Sequence, residues 1–265
     1  MIWRVEDGEA RLSPTNGRVA TLSTMALVQV RAAYPSSAAE AAVRLYLFGR
    51  LPFIAWRRAG YDDARLHTEL ATAASPAWVA VASGPPHGPW WAWRPRQVES
   101  ARAASGWKLY VSPQPHRMID AVRATLNAAA DLPVVSAKCG GDAQGLLRPD
   151  KIVVHLQSRA AIDALAARLA RALQGCSAHG VPFTAELGGD GLLSWGRDPP
   201  PDPAHGRQTL SWRSWITWRL AEGLMASGPV GDDPCAEALK RVAEAGVDAR
   251  TWAPADDIFA RRIAA

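Results

Sequence analysis

The sequence predicts an α+β protein: a mixed or antiparallel sheet core with helices, a helical N-terminal portion and C-terminal helices. Two observations carry this. Between residues 107 and 197 the apolar pattern switches in the order strand, helix, strand, strand, helix, strands, which is the sequence of an α+β core. On either side of that core the pattern is helical. With 265 residues and 48% hydrophobic content the chain can bury a sizeable core, and a charged fraction of 21% is too ordinary for wholesale disorder.

The N-terminal portion opens with an apolar run at 22–31 behind Ser/Thr caps. SSAAEAAVRLYLFGRL is a stronger helix: Ser36 or Ser37 caps it, Glu40 sits in its first turn, and Gly49 with Pro52 closes it. YDDARLHTELATAA is a further amphipathic helix capped by Asp62 or Asp63. SGPPHGPWWAWRPR, rich in Pro, Gly and Trp, predicts a loop with exposed aromatics suited to peptide contact.

In the core, WKLYVSP (107–113) alternates and carries aromatic and β-branched residues, hence a strand. PHRMIDAVRATLNAAAD is a helix, with Met118, Ile119, Val122 and Leu126 on one face. LPVVSAKCGG is a short strand ending in glycines, and DKIVVHLQS is the clearest strand. In RAAIDALAARLARALQGC, Ile162, Leu165, Leu169 and Leu173 recur at helical spacing, with Gly175 just past the end. PFTAELGGDGLLSWG predicts a hairpin over GGDG. RDPPPDPAHGRQ is a connector, followed by helices in SWRSWITWRLAEGLM and DPCAEALKRVAEAGV. Three segments follow, 1–100, 101–200 and 201–265, forming one compact unit.

Composition narrows the partners. The formal charge is +5 and the pI about 9.4. This mild excess suits an anionic substrate or a peptide, and no basic block or nucleic-acid motif is present, so nucleic acid is not the expected partner. Cys139, Cys176 and Cys235 are odd in number and widely spaced, so they predict buried thiols rather than a disulfide framework or metal pair. The acidic start MIWRVEDGEARL lacks a signal-peptide pattern, and the longest uncharged run, 70–93, contains SGPPHGP. A soluble cytoplasmic protein without a membrane span is expected.

Lysine usage is the sharpest anomaly. Of 30 Lys and Arg, only Lys108, Lys138, Lys151 and Lys240 are lysines, and three of the four fall between 108 and 151. Arginine stays charged, whereas a buried or crowded lysine can lose its proton. Lys108 and Tyr110, two apart on a strand, share one face. Lys138 ends a strand before the glycine-rich turn of AKCGGDAQGLLRPDK, where backbone amides flanked by Arg148 and Lys151 could cradle an anion. Lys151 could equally stabilise that turn with Asp150, and Arg197 could reach an anion or pair with Asp198. His155, alone on an apolar strand, is expected to be a core residue. Trp212, Trp215 and Trp218 form a stripe expected to be buried, or else to serve as a partner surface.

The stretches WKLYVSP, LPVVSAKCGG, LRPDKIVVHLQS and GVPFTAELGGDGLLSWGRDPP, together 107–200, resemble the HopA-type bacterial effector family. They also resemble its relatives that act as lyases in class V lanthipeptide and thioamitide biosynthesis. A fainter likeness reaches the lyase region of class III lanthipeptide synthetases and the phosphothreonine lyases of pathogen effectors. The resemblance implies β-elimination of phosphate from phosphoserine or phosphothreonine of a ribosomal precursor peptide, leaving dehydroamino acids, with no cofactor or metal. It implies Lys108 as base and an acid two residues on. Tyr110 stands there where the lyases have histidine, and His116 is the nearby substitute. Lys138, Arg148, Lys151 and Arg197 are then the phosphate ligands. The implied partners are the phosphorylated peptide and a separate Ser/Thr kinase subunit or a second copy of the chain. Two rival readings are a non-catalytic peptide- or kinase-binding partner and an effector-like interaction protein.

Overall fold

A computed structural model describes residues 2–6, 9–13, 17–83, 89–96, 106–199, 210–226, 233–256 and 258–259. In chain order the strands and helices are β1 (Ile2–Glu6), β2 (Glu9–Ser13), α1 (Arg18–Ala32), α2 (Ala38–Leu47), α3 (Phe53–Arg58), α4 (Asp63–Ala71), β3 (Trp78–Ser83), β4 (Trp90–Pro95) and β5 (Trp107–Val111). They continue with α5 (Met118–Ala129), β6 (Val134–Gly140), α6 (Ala143–Leu146), β7 (Ile152–Leu156), α7 (Arg159–Ala172), β8 (Ala185–Leu187), β9 (Leu193–Arg197), α8 (Trp212–Ala226) and α9 (Pro234–Glu244). The fold is α+β, as the sequence predicts, with a seven-stranded antiparallel sheet in the order β3-β4-β6-β7-β5-β9-β8. Strands β1 and β2 form a separate antiparallel pair.

Local chemistry sets the predicted helices. Ser37 caps α2 by accepting from Glu40 N, Asp62 caps α4 by accepting from Arg65 N, and Ser158 caps α7 by accepting from Ala161 N. Gly175, past the end of α7, has φ 73°, the left-handed conformation that glycine adopts without a Cβ clash.

Two compact units divide the chain. One contains residues 50–181 and 190–195, the other residues 1–49, 182–189 and 196–265. The described residues from 50 to 96 fall in the first of these units. The WWAWRP stretch, read from sequence as a loop, is strand β4. Trp91 and Trp93 alternate inward and are buried, pairing with Cys139 and Ala137 of β6.

In the 50–181 unit, β7 runs between β5 and β6 and is antiparallel to both. Helix α5 carries the chain from β5 over to β6, and α7 leaves the end of β7 to lie back against β5 and β7. Both helices need an apolar surface. Leu109, Val111, Ala137, Cys139, Ile152, Val154 and Leu156 supply it from alternate positions of the three strands. Ile162, Leu165 and Leu169 of α7 are fully buried, each contributing about 1.5–3 kcal/mol. The opposite face carries the polar residues.

The other unit is built on α1, α2, α8 and α9. Trp212 and Trp215, stacked at 5.7 Å, lie in its core, so this part of the Trp stripe is buried packing. Trp218 is partly buried, with Nε1 donating to Glu222. Arg213 is 1% exposed, and its Nη2 donates to Tyr46 O at 2.8 Å, which satisfies an otherwise costly buried cation. The RDPPPDPAHGRQ connector lies mostly outside the described residues. Among the described residues no helix is long and apolar enough to cross a membrane, and no cluster of three or more His, Cys, Asp or Glu could hold a metal.

Candidate active site

The strand register gathers the predicted residues. Lys108 pairs with His155, and Tyr110 pairs with Val153, across β5 and β7. On the other side of β7, Lys138 pairs with the same Val153 and Ser136 with the same His155. Directly paired residues leave a sheet on one face, and so do residues two apart on a strand. Lys108, Tyr110, Lys138 and His155 therefore share the face opposite α5 and α7. Ala92 of β4, paired with Lys138, puts Trp90 on this face too.

Trp90 organises the cations at this end of the sheet. The Lys138 ammonium lies 4.5 Å from its ring centroid and the Arg148 guanidinium 5.1 Å from it. Such cation–π contacts contribute roughly 0.5–2 kcal/mol each. Arg148 is fixed further by Asp150: Nε donates to Oδ1 and Nη2 to Oδ2, each at 2.9 Å. Asp150 is buried, so this bidentate pair orients the guanidinium plane beside Lys138.

His155 stands between the lysine-bearing strands. Burial first, then the charges of Lys108 and Lys138, push its pKa down to about 3, so the imidazole is neutral at physiological pH. This response places both lysines within electrostatic reach of one ring. The Nε2 atom is buried, and no described residue hydrogen-bonds to it.

The other candidates have different surroundings. Tyr110 is on the shared face but only 3% exposed, clustered with Val153 and Val181. His116 is exposed on a one-turn 3₁₀ helix, Pro115–Arg117, beyond the end of β5 and off the strand register. Lys151 is fully enclosed, and its Nζ lies 2.7 Å from Nδ1 of the buried His179. Burial lowers its pKa to about 7, against an opposing contribution from Asp150. It therefore faces an interior partner rather than an incoming anion. Arg197 belongs to the other unit, where Nη1 donates to Asp256 O at 2.8 Å and the guanidinium lies over Phe259.

The glycine turn differs from the anion cradle expected of it. The amides of its three glycines are already engaged: Gly140 N donates to Lys151 O, Gly141 N to Pro89 O, and Gly145 N to Asp142 Oδ1. A Cβ on Gly140 would lie 2.5 Å from the Gly145 backbone, so these glycines serve close packing of two chain segments. Cys139 is buried and its thiol is pushed up by desolvation, which leaves it without thiolate character.

The fold is similar to that of two Pseudomonas syringae effector proteins. One, from pathovar tomato strain DC3000, aligns with a TM-score of 0.56 over 89% of this chain and 98% of its own, at 10% identity. The other, from pathovar syringae strain 61, gives 0.54 over 90% and 99%, at 12% identity. At such identities the likeness is one of fold alone. The phosphothreonine lyase OspF from Shigella flexneri aligns over 68% of this chain and 91% of its own at 11% identity. Its TM-score of 0.41 is too low to support a conclusion. No protein-family model and no curated protein matches the sequence.

From sequence, His155 reads as a core residue and Trp90 as part of an exposed loop, and His179 is not singled out at all. His155 sits in IVVHL, where residues on both faces are apolar, so the parity that singles it out appears only once Lys108 is known to stand opposite. Trp90 had a signal in the W-x-W alternation of 91 and 93, masked by the neighbouring prolines. His179 carried no signal in its own sequence context.

Proposed function

We propose that the protein is a phosphopeptide lyase that eliminates phosphate from phosphoserine or phosphothreonine. The observation that supports this most is the gathering of Lys108, Lys138, Arg148 and His155 about one sheet face, with Arg148 oriented by Asp150. β-Elimination needs a base for a weakly acidic Cα proton and fixed cations for a leaving dianion. Arg148 has the fork geometry for phosphate oxygens. Lys138, held as a cation over Trp90, stands on the phosphate side. Lys108 is assigned the base.

In the reaction, the Lys108 amine takes the Cα proton and the C–H electron pair becomes the Cα=Cβ double bond. As that double bond forms, the Cβ–O bond breaks and its electrons leave with phosphate, held by Arg148 and Lys138. The Tyr110 hydroxyl is assigned the hydrogen bond to the departing oxygen. The product is dehydroalanine or dehydrobutyrine.

The finer reading takes the substrate to be a ribosomal precursor peptide, phosphorylated by a separate Ser/Thr kinase that works with this chain as a subunit, or with a homo-oligomer of it, in the cytoplasm. It rests on the resemblance of 107–200 to lanthipeptide and thioamitide lyases. Incubation with a phosphothreonine peptide and mass spectrometry of the product tests the activity. Loss of phosphoric acid from the peptide is expected; a peptide that binds and is recovered intact would leave only the binding-partner reading.

A further inference from the structure

Abstraction of a peptide Cα proton places negative charge on the neighbouring carbonyl oxygen. A base and phosphate ligands do nothing for that oxygen. Stabilising it calls for a preorganised donor beside the base, in a site shielded from water. The donor should not be another full cation, because that would compete with Arg148 and Lys138 for the phosphate dianion.

His155 has the required position and chemistry. It stands directly opposite Lys108 across β5 and β7, on the face that also carries Lys138. Its Nε2 is buried, and no described residue pairs with it. Leaving a buried ring nitrogen unsatisfied is costly, so a built site keeps such an atom for a partner that arrives. Resting on the lyase reading above, we infer that His155 is a catalytic residue whose Nε2–H donates to the carbonyl oxygen of the phosphorylated residue as the Cα proton leaves for Lys108. The depression of the His155 pKa to about 3 supports this, because a ring that stays neutral polarises a carbonyl without adding charge. Burial is the larger cause that keeps it neutral, and the neighbouring lysines add to it.

The test separates enolate formation from phosphate loss. A peptide whose phosphate ester oxygen is replaced by CH2 binds but cannot eliminate. In D2O the wild type should exchange its Cα proton for deuterium, read by mass. His155→Phe should slow exchange about 100- to 1,000-fold, with affinity for the phosphonate peptide changed only a few-fold. His155→Gln, which keeps a neutral N–H donor, should recover part of the rate. In the wild type, the 15N resonances of the His155 ring should stay those of a neutral imidazole down to pH 5, and Nε2 should shift when the peptide binds. Exchange by His155→Phe at the wild-type rate, or an Nε2 resonance indifferent to peptide, overturns the assignment while leaving the lyase reading intact. A wild type that neither exchanges this peptide nor eliminates from the phosphate ester overturns both.

Discussion

Lys108 and His155 face each other directly across the β5–β7 pair, and their side chains leave the sheet on the side that α5 and α7 do not cover. The base assignment depends on this juxtaposition. Lys108→Ala should abolish elimination while leaving phosphopeptide affinity within a few-fold, because proton abstraction contributes only in the transition state. Lys108→Arg should stay inactive, since a guanidinium cannot deprotonate near neutral pH. Single-turnover assays of Lys108→Arg and Lys138→Arg decide the division of labour. An active Lys108→Arg beside a dead Lys138→Arg would exchange the two roles.

Arg148 should behave differently from Lys108. Its guanidinium is already aligned by Asp150, so it binds the ground-state phosphate as well as the leaving group. Arg148→Ala should weaken phosphopeptide binding by about 1.5–3 kcal/mol, roughly 10- to 150-fold in Kd. Asp150→Asn should give a smaller loss, because the charge on Arg148 remains while its orientation loosens. Isothermal titration with a phosphonate peptide checks both, and unchanged affinity in Arg148→Ala would remove it from the phosphate site.

Much of the fold was legible because its signals are local. The caps at Ser37 and Asp62 and the helical spacing of Ile162, Leu165 and Leu169 each needed only a few neighbouring residues. β4 was hidden because its WWAW run lies among prolines and glycines that read as loop. The division into units was hidden because it depends on pairing between distant segments: β3 and β4 join the core through Lys138 and Cys139 of β6. In the site, Lys108 and Tyr110 could be placed on one face from strand parity alone. That Lys138 joins them depends on β7 lying between β5 and β6, which no local pattern encodes. Lys151 looked like its neighbours Lys138 and Arg148 in sequence, and only burial against His179 separates it from them.

Lys151 should leave a signature in stability. Its pKa is about 7 in the fold and near 10.5 when unfolded. Between those values the unfolded chain binds the extra proton, so stability rises with pH across this window. Below pH 7 the cost of burying the charge is fully present. Relative to Lys151→Met, the wild type should gain about 2 kcal/mol between pH 7 and pH 9. Urea denaturation of both proteins at the two pH values measures this, and parallel pH profiles would show that the buried amine does not titrate as described.

Gly223 tests the helix pair of the other unit. A Cβ there would lie 2.4 Å from Ala238 Cα, so α8 and α9 touch at this point. Alanine is the better helix former by about 1 kcal/mol, but overpacking costs about 1–3 kcal/mol. Gly223→Ala should therefore lower the Tm, and a raised Tm would mean that the helices separate there at little cost.

Elimination and hydrolysis both release phosphate, but only elimination breaks the Cα–H bond. The most direct measurement is therefore the mass of the product from a peptide carrying α-deuterated phosphoserine. The expected product has lost phosphate together with the deuterium and contains dehydroalanine. Recovery of serine with its deuterium retained, or of the phosphopeptide unchanged at any enzyme concentration, would contradict the lyase assignment.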